Sequence, residues 1–282
     1  MEIKEKVALV LGGSRGIGRA IARALADGGA RVVLPYHDDW PQESAEMKKE
    51  FAGLGAKHLA SQVDLRDKDQ VQRLITQIRN KFGALHILIN NIERGGMPVV
   101  HGSYDLEANK GQWDLEMETS LKAKWLVAHN ALPLLKTSGE GVIINISSIA
   151  GIVGRTGPAG LIFNDGYAAA NRAVSSLTQT WARLAAPNVR VNELMLGFVD
   201  TRHGEGTRGW ELLKDSEKEA IVEHTLLERT GDLDDIVKAV FFLVEAAPFM
   251  TGAVLRLDGG YVLGGEKVPD MGRGILADPG DS

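Results

Sequence analysis

The chain has 282 residues, of which 44% are hydrophobic, and a formal net charge of −5. This mild acidity argues against a nucleic-acid partner, because nucleic-acid-binding surfaces are basic, and the lack of cysteine excludes disulfides, thiol catalysis and cysteine-ligated metals. No apolar run reaches the roughly 18 residues of a transmembrane helix, and the charged first residues do not resemble a secretory signal. We therefore expect a cytoplasmic protein without a membrane partner.

Short apolar runs alternate along the chain with segments of helical spacing. The runs predict strands at residues 7–11, 31–34, 57–63, 85–90, 141–146, 189–194 and 254–257, with Pro35 ending the second. The spacing predicts helices at 18–27, 43–54, 70–82, 113–135, 167–184 and 233–245. This alternation favours a parallel sheet with helices on both faces. We predict a doubly wound α/β sheet, a Rossmann fold, as a single domain at 1–264, and a surface arm or partly disordered tail at 265–282.

A glycine-rich loop joins the first predicted strand to the first predicted helix. Glycine lets the backbone approach a pyrophosphate, and the helix N-terminus offers N–H groups and partial positive charge to the anion. The spacing is G-x-x-x-G-x-G, which differs from the general G-x-G-x-x-G fingerprint. An ordinary strand-to-helix turn is the alternative, but the flanking elements favour a dinucleotide site. The loop consists of Gly12, Gly13, Ser14, Arg15, Gly16, Ile17 and Gly18.

From this loop onward the sequence resembles the short-chain dehydrogenase/reductase family, over about residues 5–262. The loop matches the family's Thr-Gly-x-x-x-Gly-Ile-Gly, with Leu11 in place of Thr. The other matches follow in the family's order: Asp64-Leu65, Asn90-Asn91, Ser147-Ser148, Tyr167, Gly197 to Thr201, and Leu257 to Gly260. The resemblance implies that the cofactor contacts Gly12, Ser14, Arg15, Gly16, Ile17, Gly18, His37, Asp64, Leu65, Asn91, Tyr167, Asn171, Gly197, Val199 and Thr201.

The end of the second strand bears on the choice of cofactor. NAD-binding Rossmann proteins place an acid there, which bonds the ribose hydroxyls and repels a 2′-phosphate. Tyr36 holds that place here, Arg15 lies in the loop as in NADP-preferring members of the family, and His37 adds a donor. These residues favour NADP. The nearby Asp38 and Asp39 keep NAD open, as does the alternative that Arg15 is a solvated surface charge.

By resemblance, the catalytic tetrad is Asn, Ser, Tyr and Lys. Tyr exchanges a proton with the substrate oxygen, Ser holds that oxygen, Lys binds the nicotinamide ribose and lowers the Tyr pKa, and Asn positions a water. Ser148 and Tyr167 are present, but Ser120 stands at the Asn position and Asn171 at the Lys position. A cation about 4 Å from a phenolate is worth up to roughly 4 kcal/mol at an effective dielectric near 20. Without it, Tyr167 remains usable as an acid and is a poorer base.

Other departures lie near the predicted pocket. Lys124 follows Ser120 by four residues on the same helix face. It either reaches inward to replace the missing charge or is a solvated or interface lysine, which is the commoner arrangement. Ile92-Glu93 replaces the family's Ala-Gly, and extra residues within 154–166 reshape the substrate mouth. The scattered histidines have no paired ligand spacing, so we expect no metal site.

The leading hypothesis is an NADP-dependent oxidoreductase acting on a small carbonyl or alcohol. Tyr167 is then the acid or base, Ser148 holds the oxygen, and Ser120 and Asn171 are altered supporting groups. The alternative is a cofactor-binding homologue with little or no activity, serving as a sensor or an assembly subunit. The resemblance also implies a homotetramer or homodimer. Its contacts would come from the helices at 113–135 and 167–184, unless the apolar residues there form the core: Trp125, Val174, Leu177 and Trp181.

Overall fold

Seven parallel strands form one central sheet in the computed structural model, which describes residues 1–38, 40–92, 107, 111–201, 210, 213–266 and 268–270. The strand order is β3-β2-β1-β4-β5-β6-β7, and every neighbouring pair is parallel. The predicted doubly wound Rossmann fold is confirmed. The strands are β1 Val7–Val10, β2 Arg31–Tyr36, β3 Leu59–Gln62, β4 Ile87–Asn90, β5 Gly141–Ser148, β6 Val189–Leu196 and β7 Val254–Leu257.

Helices cover both faces of this sheet. They are α1 Gly16–Asp27, α2 Pro41–Gly53, α3 Lys68–Phe82, α4 Gln112–Glu116, α5 Ala123–Thr137, α6 Ala150–Val153, α7 Asp165–Ala185, α8 Asp215–His224 and α9 Leu233–Phe241. A π-helical segment, Met117–Lys122, joins α4 to α5, and another follows α9 at Phe242–Ala246. One core layer lies between the sheet and α3, α5 and α7, and the other between the sheet and α1, α2 and α9. Within the described ranges, no helix is long and apolar enough to cross a membrane.

The sequence explains the main elements locally. β1, β4 and β5 are buried along their whole lengths, and their continuous apolar runs are typical of strands covered on both faces. Helix α3 begins two residues before its predicted start because the Asp67 carboxylate accepts the backbone N–H groups of Asp69 and Gln70, at 2.8 and 3.1 Å. It ends at Gly83, whose φ of 75° is left-handed.

Three differences between the structure and the sequence predictions have a clear physical reason. β2 continues through Pro35 to Tyr36. Its ladder with β1 stops at the Leu9–Val33 pair, so no β1 partner needs the missing N–H of proline. Helix α8 was missed because it buries a single apolar side chain, that of Ile221. The long helix predicted at 113–135 is interrupted by the π-helical segment, which shifts the phase of its faces.

The candidate interface residues fall into two groups. Val174 and Trp181 are buried in the chain's own core, and Leu177 packs against the same cluster. Trp125 is 42% exposed and stacks on His129, with 5.3 Å between the ring centroids. Of these four residues, therefore, only Trp125 has a largely exposed side chain.

Candidate active site

A cleft of about 540 Å³ runs along the carboxyl ends of the central strands. The strand order reverses between β1 and β4, and ligands of open α/β sheets bind at such a point. Two of the sequence-predicted site residues, Gly18 and Ser120, do not line the cleft. The lining includes all the others: Gly12, Ser14, Arg15, Gly16, Ile17, His37, Asp64, Leu65, Asn91, Ser148, Tyr167, Asn171, Gly197, Val199 and Thr201.

The glycine loop has the geometry of a phosphate cradle. Gly12 and Gly16 have φ of 66° and 51°, in the left-handed region that favours glycine. A Cβ on Gly18 would lie 2.2 Å from the Gly12 carbonyl oxygen, so Gly18 serves the close packing of α1 against the loop. No side chain caps the N-terminus of α1, and its first turn holds no acidic residue. The loop therefore fits a pyrophosphate, whose charge would face the N–H groups of this helix end.

The wall at the end of β2 carries a residue that the sequence reasoning missed. The guanidinium carbon of Arg15 lies 3.8 Å from the centroid of the Trp40 ring, in a cation–π contact. Both side chains line the cleft, together with Tyr36 and His37. The signal in the sequence was an aromatic residue directly before Pro41, the first residue of α2. Trp40 thus holds the arginine in the wall of the cleft at the end of β2.

Acidic groups also stand at this wall. Glu43 lines the cleft, and Asp38 accepts a hydrogen bond from the Gln62 amide at 2.8 Å. Asp39, which the sequence analysis named as favouring NAD, lies outside the described residues. The wall therefore carries positive and negative charge. A 2′-phosphate would be attracted by Arg15 and repelled by these carboxylates, and the difference between the two effects bears on the choice between NADP and NAD.

The wall after β3 is fixed by hydrogen bonds. The Arg66 guanidinium donates to both Asp64 carboxylate oxygens, at 2.9 and 2.8 Å. This bond lowers the pKa of Asp64, so the carboxylate is ionised near neutral pH. The Asp64 backbone N–H donates to the Gln70 side chain at 3.0 Å. The Asp64-Leu65 pair is thus held as a rigid wall where the family resemblance expects the adenine ring.

Ser148 and Tyr167 line the cleft from two different elements. Ser148 ends β5, and its hydroxyl oxygen accepts the Ala150 N–H at 3.1 Å, which leaves the hydroxyl proton to be donated to a ligand. Tyr167 lies in the first turn of α7, where the Asn164 side chain caps the helix by accepting the Tyr167 N–H at 2.7 Å. Asn171 lies one turn further on, and its amide donates to the Tyr167 carbonyl at 2.9 Å. In this structure Asn171 therefore bonds within its own helix.

A row of polar residues occupies the inner face of α4 and α5, where a helix normally packs apolar side chains. Gln112, Glu116, Ser120 and Lys124 follow at four-residue intervals, and all four are buried. Ser120 donates to Glu116 at 2.9 Å instead of facing the cleft. Lys124 lines the cleft and is only 3% exposed, so the expected solvated or interface lysine is wrong. Its ammonium donates to the Ile146 carbonyl at 2.5 Å.

Beneath the row lies a buried acid that the sequence reasoning also missed. Glu193 on β6 pairs in register with Asn145, and its carboxyl accepts hydrogen bonds from Ser147 and, at 3.1 Å, from Ser175. Burial raises the pKa of Glu193, an effect that the two hydroxyls and the charges of Lys124 and Arg172 partly offset. The signal was an acid within an otherwise apolar predicted strand. Glu93, the other acid expected near the cofactor, lies outside the described residues.

Comparison with known proteins gives consistent matches. A family model described as enoyl-(acyl carrier protein) reductase matches residues 12–262. A 3-oxoacyl-(acyl-carrier-protein) reductase of Staphylococcus aureus (strain N315) is 32% identical over 261 residues, which cover 92% of this chain and 98% of that protein. The protein of the same description from Vibrio cholerae is 30% identical over 265 residues, 93% of this chain and 100% of its own. The one from Thermotoga maritima is 28% identical over 266 residues, with the same two coverages.

Proposed function

Because the chain belongs to the short-chain dehydrogenase/reductase family and is an NAD(P)-dependent oxidoreductase, we propose that it reduces a small carbonyl substrate and prefers NADPH. The observation that carries this proposal is that one cleft brings Ser148 and Tyr167 together with the glycine loop. The loop leads into the uncapped N-terminus of α1, and the Ser148 hydroxyl keeps its proton for a ligand.

Ser148 and Tyr167 have different roles in the proposed reduction. When bound, the nicotinamide supplies the hydride for the substrate carbon. Ser148 holds the substrate oxygen by donating its hydroxyl proton, since its oxygen already accepts the Ala150 N–H. Tyr167 gives its phenolic proton to the same oxygen as negative charge develops there. Tyr167 lies in the first turn of α7. The N-terminus of a helix carries partial positive charge and favours negative charge nearby.

The proposed direction of the reaction is carbonyl reduction, because the relatives are described as reductases. In that direction Tyr167 acts as an acid, whereas oxidation of an alcohol needs it as a base. Asn171 is uncharged and bonds within its helix, so position 171 itself gives the phenolate no ionic support. The relatives' names make a short 3-oxoacyl thioester the first substrate to try.

A titration of the purified protein with NADPH, followed by a panel of carbonyl compounds, tests the function. The panel holds a short 3-oxoacyl thioester, simple ketones and aldehydes, and the readout is loss of NADPH absorbance. NADPH should bind more tightly than NADH and be consumed with at least one carbonyl. Binding without turnover across the panel would support the binding-only homologue, and binding of neither dinucleotide would contradict both readings.

We also propose that the protein assembles as a homotetramer or homodimer. Trp113 on α4 and Trp125 on α5 are 41% and 42% exposed. Large exposed aromatic residues of this kind are typical of protein interfaces. Light scattering should give a dimer or tetramer mass at micromolar concentration, and Trp125→Lys should shift it toward the monomer. A wild-type monomer would refute the assembly.

A further inference from the structure

The buried Lys124 lines the same cleft as Ser148 and Tyr167. We propose that Lys124 supplies the positive charge of this active site, in place of the lysine that the family carries at the position of Asn171. The assignment rests on the proposed function, because the charge matters only if a dinucleotide binds and Tyr167 transfers a proton.

The backbone around Lys124 is fixed on two sides. The π-helical segment ends just before it, at Lys122. The buried Asn90 amide donates to the Lys124 carbonyl at 3.2 Å and to the Asn145 side chain at 3.1 Å. Asn90 therefore ties the start of α5 to the ends of β4 and β5, and the lysine leaves the helix from a defined place.

The side chain reaches the floor of the cleft. The β4–β5 ladder ends at the Asn90–Asn145 pair, and the next carbonyl on β5, that of Ile146, accepts from the Lys124 ammonium. Ile146 precedes Ser148 by two residues, which is about 7 Å along a strand. The ammonium thus lies at the opening between β4 and β5, one strand from the point where the strand order reverses.

A buried ammonium is costly unless charged or polar groups surround it. The Ile146 carbonyl is one such group, and the buried Glu193 is another, since the charge of Lys124 acts on its carboxyl. Glu193 is in turn held by Ser147, which lines the cleft, and by Ser175. The Ile146 carbonyl, and the charge interaction with the Glu193 carboxyl, therefore favour a cation at this place.

Position 171 provides a contrast with position 124. Tyr167, Asn171 and Ser175 follow at four-residue intervals on α7, and this helix packs against the π-helical segment and α5. The chain thus has a lysine at position 124 and none at position 171, where the Asn171 amide donates to a carbonyl of its own helix. Lys124 would hold a hydroxyl of the nicotinamide ribose and stabilise negative charge at the Tyr167 oxygen.

The proposal is tested by removing the positive charge at position 124 and placing one at position 171. The variants are Lys124→Met, Asn171→Lys, the double variant, and Lys122→Met as the matched control, since Lys122 is exposed and pairs with Glu118 on the same helix. The readouts are the NADPH Kd by fluorescence titration and the pH profile of alcohol oxidation. Hydrogen bonds to charged groups are worth a factor of roughly ten to a hundred. Lys124→Met should weaken NADPH binding by that factor and move the rise of the oxidation rate to higher pH.

The double variant should recover at least tenfold of the lost affinity, whereas Lys122→Met should change neither readout. Asn171→Lys alone should change the Kd by less than about twofold, because the charge is already present, and this arm does not depend on the folding of Lys124→Met. Tenfold tighter binding by Asn171→Lys alone would overturn the assignment. So would an unchanged Kd in Lys124→Met, or a loss that the double variant fails to recover. A wild type that binds neither dinucleotide would overturn the proposed function as well; wild-type binding with any of the former results overturns only the role of Lys124.

Discussion

The two halves of the cleft keep the family pattern to different degrees. In the half built by β1, β2 and β3, Arg15, Asp64 and most of the glycine loop line the cleft, as the resemblance expects. In the half built by β5, α5 and α7, Ser148 and Tyr167 remain, while the residues at positions 120 and 171 are changed. Buried polar groups, Glu116, Lys124 and Glu193, surround the second half.

This difference has a physical origin. The first half binds through its backbone, and a backbone can pass within contact distance of a pyrophosphate only where glycine leaves the space. The second half works through charge, and a charge can be delivered from either of two helices that face the same cleft. Geometry therefore fixes the residues of the first half, whereas the second half can exchange the position of a cation.

Removal of the Tyr167 hydroxyl should give the largest effect. Tyr167→Phe keeps the ring that packs 5.9 Å from the Phe163 ring, but it removes the proton donor. General acids contribute roughly 10²- to 10⁴-fold, so kcat/KM for carbonyl reduction should fall by that factor. The NADPH Kd should change by less than about threefold, because the first half of the cleft is untouched. A variant with wild-type turnover would show that another group gives the proton.

A side chain at position 18 should disrupt the glycine loop through a steric clash. In Gly18→Ala the new Cβ would stand 2.2 Å from the Gly12 carbonyl oxygen, so α1 and the loop must move apart. Overpacking of this kind costs about 1–3 kcal/mol, and we expect a lower midpoint in urea together with loss of measurable NADPH binding. Gly53→Ala is the matched control, because a Cβ there meets nothing within 4 Å. A Gly18→Ala protein that binds NADPH normally would contradict the close-packing argument.

Most residues predicted for the first half of the cleft line it, because each follows a strand that an apolar run identifies in the sequence. The glycine loop follows β1, and Asp64 follows β3. The second half is harder, since burial of Lys124 depends on the π-helical segment before it and on Asn90 from a distant strand. The continuation of β2 through Pro35 likewise depends on where the β1 ladder ends. Such features are set by tertiary contacts and have no local pattern in the sequence.

The preference for NADPH over NADH tests the role of Arg15 and Trp40 in the first half of the cleft. Arg15→Ala should narrow the NADPH-over-NADH preference by about tenfold or more, the value of one charge-assisted bond to phosphate. Trp40→Ala should narrow it by about two- to fivefold, because the lost cation–π contact is worth about 0.5–1 kcal/mol and the arginine remains. Titration of each variant with both dinucleotides gives the ratio. Equal affinities of the wild type for NADPH and NADH would refute the role of Arg15.

The smallest expected effect is a change in thermal stability, and it comes from Glu193 at the base of the second half of the cleft. Because burial raises the pKa of Glu193, the unfolded chain loses this proton at lower pH than the folded protein. Stability is therefore fully present below the ordinary glutamate pKa of about 4.3 and is lost as pH rises through the folded value. Glu193→Gln cannot ionise, and its Oε1 still accepts from Ser147 and Ser175.

The Tm of Glu193→Gln relative to wild type should consequently rise between pH 4 and pH 8. Each pKa unit of the shift corresponds to about 1.4 kcal/mol. In a chain of this size that is a change of about 2–6 °C in Tm. Thermal unfolding at several pH values measures it, with Glu219→Gln on the exposed side of α8 as the control that should show no such trend. A Tm difference that falls with rising pH would mean that Glu193 is held ionised by Lys124, so that the buried pair stabilises the second half of the cleft at neutral pH.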